Sequence, residues 1–137
     1  MTRDEREAHY RCYIDCLNGR RLDQMNRFYA DQLLYNGRRM SRSEWLEVAI
    51  KASFDAMPDL QWSIQHLVIE RETVAARLLD TGTLVKPWSG LLPSQQKLVF
   101  GEHVFYRFRD SDGLTDEVWS IVDIGAMRQQ GQPSSAA

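Results

Sequence analysis

The chain has 137 residues and a formal net charge of −2, from 17 basic and 19 acidic residues, with two cysteines. That length is enough for one hydrophobic core without disulfides or metals, and the interspersed charges form no basic block, which argues against nucleic acid as a partner. No stretch approaches the roughly 18 apolar residues of a membrane span, and the charged start MTRDEREAHYR does not read as a secretory leader, so a cytoplasmic protein without membrane attachment is expected.

Thr2 reads as a helix cap, with acids in the turn that follows and apolar residues at Tyr10, Tyr13, Ile14 and Leu17; this spacing predicts a helix that Asn18-Gly19 stops. Cys12 and Cys16, four apart on that helix, share one face. They suit neither a disulfide nor a zinc site. RLDQMNRFYA predicts a second short helix with Leu22, Met25, Phe28 and Tyr29 on one stripe, and DQLLYNGRR a brief extended piece. Ser41 with Glu44 forms a capping box for a third helix, SRSEWLEVAIKASFDAM, which Pro58 closes.

Beyond Pro58 the period becomes two. Leu60, Trp62 and Ile64 alternate with polar residues in a first strand, and ERET turns into a second, TVAARLLDTGTL. The loop VKPWSGLLPSQQ leads to KLVFGEHVFYRFR, and DSDG to the last strand, LTDEVWSIVDIG. Residues 1–131 then form one domain, and the polar residues 132–137 are expected to be a disordered tail. Helices followed by antiparallel strands predict an α+β fold, with helices packed on one face of a curved sheet and an apolar cavity between the layers.

Within EVWSIVD, residues two apart share a face, so Trp119, Ile121 and Asp123 point the same way. Trp119 and Ile121 are expected to face the core, which draws Asp123 into the pocket with them. Burial would raise its pKa and suit it to general base work. The other reading has Asp123 capping the turn at Ile124 and Gly125, or pairing with an arginine. His66 enters the pocket under strict alternation, whereas a bulge would turn it out. Glu102 falls on the apolar set of Val104, Tyr106 and Phe108, making it a candidate buried acid, and His103 falls opposite. Trp45, Trp62 and Trp88 either line the cavity or pack the core. Val118, Val122 and Ile124 fall on the other, outer face, which predicts a homodimer across the sheet.

Several pieces in order resemble the SnoaL-like polyketide cyclases of the nuclear-transport-factor-2-like superfamily, from about Tyr10 to Gly131. They are CLNGRRLDQMNRFYADQLLYNG, MPDLQWSIQHLV, ARLLDTGTL, WSGLLPSQQKLVF, DGLTDEVWSIVD and GAMRQQG. The resemblance implies a cone-shaped barrel around a pocket for a small hydrophobic, oxygenated molecule. It implies aldol-type or isomerase chemistry without metal or cofactor, with Asp123 as general acid/base and His66 as a candidate partner. Tyr13 and Asn36 resemble polar pocket residues of the family, joined as substrate-binding candidates by Trp45, Trp62, Trp88, Glu102, Tyr106 and Trp119. Val118 and Leu84 stand where the family often has histidines. A non-catalytic ligand-binding module of the same fold is the alternative.

Overall fold

In the computed structural model, which describes residues 1–131, α1 (Arg3–Asn18) begins at a reciprocal cap. Glu5 N donates to the Thr2 hydroxyl at 3.1 Å, and Thr2 N to the Glu5 carboxylate at 3.0 Å. Tyr10, Tyr13, Ile14 and Leu17 are buried as their spacing requires. The second expected helix divides in two. A 3₁₀ segment, Leu22–Phe28, runs directly into β1 (Tyr29–Tyr35), so Tyr29 belongs to a strand. β1 turns at Asn36 and Gly37, both at positive φ, into β2 (Arg38–Ser41).

The third expected helix is helical throughout but changes pitch. α2 (Arg42–Trp45) starts where the Ser41 hydroxyl accepts from Glu44 N, passes through a π-helical stretch, Leu46–Lys51, and ends as α3 (Ala52–Ala56). The strands β3 (Gln61–Glu70), β4 (Thr73–Thr83), β5 (Lys97–Phe108) and β6 (Thr115–Val122) follow. All six form one sheet in the order β2-β1-β6-β5-β4-β3, antiparallel except between β1 and β6. The helices pack on its inner face in the α+β arrangement expected. A last helix, α4 (Ile124–Gly131), was not foreseen; it buries Met127, and its Gln130 side chain bonds both backbone groups of Val99. The expected tail lies outside the described residues.

Strand pairing corrects two faces. Residues directly opposite each other share a face, and β5 buries Leu98, Phe100, Val104, Tyr106 and Phe108. Val104 pairs with Ser120 and Tyr106 with Val118, so Val118, Ser120 and Val122 face inward. Trp119 and Ile121, opposite Phe105 and His103, are on the outer face, at 44% and 77% exposure. Both faces of β6 are apolar, so alternation alone could not choose between them. In β3 a bulge between Ile64 and His66 shifts the phase: Leu67 and Ile69 join Trp62 and Ile64 against the core, and His66 is exposed opposite Arg77.

The start of α1 is tied to the far end of β5 by a buried cation. The Arg6 guanidinium donates to Phe108 O at 2.5 Å and pairs with Asp110. Among the described residues, no helix is long and apolar enough to cross a membrane, and no group of three or more His, Cys, Asp or Glu side chains is placed to hold a metal.

Candidate functional site

The inner face of the sheet, α1 and the Arg42–Ala56 helical run enclose a cavity of about 100 Å³. The π-helical stretch presents Ala49 and Ile50 to it. Several lining residues, Tyr35, Ser53 and Trp88 among them, keep partial exposure, so the cavity opens to solvent. Among the described residues no Lys, Arg or His lines it, whereas two acids, Asp80 and Glu102, do.

The strand register brings these acids together. Leu78 pairs with Glu102 and Asp80 with Phe100, so the two carboxyl side chains are diagonal neighbours on the inward face of β4 and β5. Asp80 is 1% exposed, and its Oδ1 has no hydrogen-bond partner among the described residues. Burial first, then a hydrogen bond with Glu102 and the repulsion of its charge, push the Asp80 carboxyl up to about 11. Asp80 therefore keeps its proton at neutral pH, beside the half-buried Glu102 carboxyl.

Both Glu102 oxygens accept hydrogen bonds. Trp62 Nε1 donates to one at 3.2 Å and Ser120 Oγ to the other at 2.8 Å. Each donor residue is in turn clamped through its backbone by an asparagine. Asn18, closing α1, accepts from Trp62 N at 2.8 Å and donates to Trp62 O at 2.9 Å. Asn36, at φ 48°, accepts from Ser120 N at 2.8 Å and donates to Ser120 O at 3.2 Å. A primary amide carries donor and acceptor side by side, so each imitates one residue of an adjoining strand. Beside the acids lies a tyrosine cluster. Tyr29 donates to the Tyr13 hydroxyl at 2.7 Å, and the Tyr106 ring is 5.7 Å from that of Tyr13 and 5.2 Å from that of Tyr10. Burial pushes all four hydroxyls up, so they remain protonated donors.

Of the residues singled out from sequence, Tyr13, Trp45, Trp62, Trp88, Glu102 and Tyr106 are in the cavity wall. Asn36 is behind it, acting on Ser120. Trp119 is on the opposite face of the sheet, with its indole N–H on Glu117. Asp123 lies past the end of β6 and is exposed. Its backbone N–H donates to Gly101 O at 2.9 Å, and its Oδ1 accepts from Ala126 N at 3.0 Å, which makes it a cap for α4 rather than a pocket acid. His66 is likewise outside the wall. Val118 lines the cavity and Leu84 is buried, so apolar side chains fill both positions where the family often carries histidine.

Asp80 is not among the residues singled out from sequence. The signal was available: Val74, Ala76, Leu78 and Asp80 form one alternating set, and the first three are apolar.

Comparison with known proteins agrees with this architecture. A SnoaL-like polyketide cyclase from Agrobacterium tumefaciens str. C58 is 29% identical, with a TM-score of 0.83 over 90% of this chain and 95% of that one. AclR from Streptomyces galilaeus (21% identity, TM-score 0.78, 93% and 96% coverage) and TsrD from Streptomyces laurentii (19%, 0.81, 95% and 96%) share the fold. No curated protein matches the chain. The family description SnoaL-like polyketide cyclase matches residues 7–131, almost the whole described chain. With a helix-backed curved sheet enclosing an apolar cavity, and that match running through every element that builds it, the chain belongs to the SnoaL-like polyketide cyclase family.

Proposed function

We propose that this protein transfers protons on a small, largely apolar, oxygenated molecule held in the cavity, in cyclase- or isomerase-type chemistry, with the Asp80–Glu102 pair as the proton carrier. The observation that supports it is the pair itself: two carboxyl groups set as diagonal neighbours in an apolar wall, one of them with an oxygen that has no partner among the described residues. Asp80 Oδ1 is the free acceptor. A proton taken there from a carbon next to a carbonyl lets the Asp80 proton pass to Glu102, and the reverse transfer delivers a proton to the product. Holding the pair in a low-dielectric wall strengthens it as a base, because its charged forms are poorly solvated. The general base assigned from sequence to Asp123 thereby moves to Asp80, which shares the cavity with the candidate binding residues.

Exchange of a C–H proton with solvent deuterium tests this without the natural substrate. A small hydroxyketone in deuterated buffer, which offers both an O–H donor and a C–H next to a carbonyl, should exchange that C–H proton faster with the protein present. Glu102→Gln should reduce that acceleration about 10²-fold or more, and Asp123→Asn should leave it unchanged. The second reading, a binding module without chemistry, draws on Val118 and Leu84. Ligand binding with no acceleration of exchange would favour it.

Self-association across the outer sheet face belongs to the same proposal, with the face redrawn. Phe105, at 54% exposure, pairs with Trp119, and Ile121, Val99, Leu79 and Val68 extend the apolar surface around them. An apolar area on a sheet face, crossed by the His103–Arg77 row and edged by the Arg107–Asp116 ion pair, suits a second copy of itself. A cytoplasmic setting completes the reading and is consistent with the two free cysteines.

A further inference from the structure

We infer that the part of the ligand entering this cavity is a hydrogen-bond donor headgroup, a hydroxyl or a protonated amine, and is never an anion. The inference rests on the cavity being the ligand site, as proposed above, and adds what the wall demands of its occupant.

The demand comes from the acid pair; the wall's unpaired donor, Trp45 Nε1, has the Tyr29 side chain beside it, with ring centroids 5.7 Å apart. Glu102 has both oxygens engaged, by Trp62 and by Ser120, and meets Asp80 through a hydrogen bond. With the Asp80 proton placed toward Glu102, Asp80 Oδ1 is left as a buried acceptor without a donor. An unmet buried acceptor is costly, and a ligand that supplies the missing donor recovers that cost, whereas one offering only an acceptor places two lone pairs face to face.

Charge points the same way. Two carboxyl groups face the cavity, and among the described residues no cationic side chain lines it. A carboxylate or phosphate entering it would meet these acids in a poorly solvating wall with no counterion. An ammonium group would instead meet acceptors. Trp62, Trp88, Phe100 and Tyr106 supply aromatic lining suited to a cation or an apolar body. The volume sets the scale: about 100 Å³ takes a small headgroup, while the rest of the molecule extends toward solvent past partly exposed lining residues such as Tyr35 and Trp88.

Benzyl alcohol, anisole, benzylamine and benzoate separate these terms, since the first two are isomers that differ in whether they can donate. Their binding to the full chain at neutral pH is read by calorimetry and by tryptophan fluorescence, Trp62 and Trp88 being in the wall. Benzyl alcohol or benzylamine should bind at least about tenfold more tightly than anisole and benzoate, as one satisfied buried acceptor is worth roughly that factor or more. Which of the two binds tighter shows whether hydroxyl or ammonium is the natural headgroup. Glu102→Gln should relieve the exclusion of benzoate, and Asp80→Leu should abolish the preference for benzyl alcohol over anisole. Anisole or benzoate binding the wild-type chain as well as the donors overturns the inference, as does the absence of binding by all four at millimolar concentration. Donor selectivity persisting in a protein that accelerates no C–H exchange removes the acid–base reading alone, and its loss in a protein that does accelerate exchange removes this inference alone.

Discussion

Replacing Asp80 by Asn should make the protein more stable at neutral and mildly alkaline pH, by an amount that grows with pH. The amide keeps the volume, and its N–H₂ group can donate to Glu102 where the Asp80 proton now lies. In the folded chain Asp80 holds its proton to about 11, whereas in the unfolded chain it releases it near pH 4, at about 3.9. Between those values the folded state binds more protons, so stability falls as pH rises through the whole interval. The limiting slope is about 1.4 kcal/mol per pH unit, or at most roughly 4 kcal/mol between about pH 5 and about pH 8. His9, whose imidazole burial holds below its usual value, gives the opposite slope on the acid side of that range. It is common to both chains and cancels in their difference. Urea unfolding of wild type and Asp80→Asn across this range reads the difference directly. The variant should gain on wild type by at least about 1 kcal/mol from end to end. Parallel profiles would mean that Asp80 ionises normally and would refute its retained proton.

Asn18→Ala and Asn36→Ala each remove two hydrogen bonds to the backbone of a residue that holds Glu102. Each should cost about 1–3 kcal/mol in urea unfolding, and each should also slow the C–H exchange described above although neither amide enters the cavity. Asp123→Ala loses only the cap of α4; about 1 kcal/mol of stability should go, with exchange intact. For the outer face, the wild type should be a dimer by light scattering at micromolar concentration and Trp119→Asp a monomer; a wild-type monomer would refute the self-association reading.

Legibility in the sequence followed the strength of the pattern. α1 was readable from its cap and its stripe, and the four long strands from alternation and turns. The 21–30 segment was not, because the apolar spacing of Leu22, Met25 and Phe28 does not distinguish a 3₁₀ turn from an α-helix, and β1 is fixed by a parallel pairing with distant β6. Glu102 could be found because its flanks are apolar on one phase only. Trp119, Ile121 and Asp123 were assigned inward because β6 is apolar on both faces, and only its register against β5 decides the phase. His66 turned on a single bulge that leaves no clear mark in the sequence. Asp80 obeys the same alternation that revealed Glu102. What no local pattern showed was that the two acids meet across strands β4 and β5, since that depends on pairing Leu78 with Glu102.

The most direct measurement of the central claim is a carbon-13 NMR titration of the Asp80 side-chain carboxyl, assigned by its disappearance in Asp80→Asn. A retained Asp80 proton predicts that this carbon keeps the shift of a protonated acid through neutral pH. A titration midpoint near the ordinary aspartate value of about 3.9 would contradict it and leave the cavity without its proton carrier.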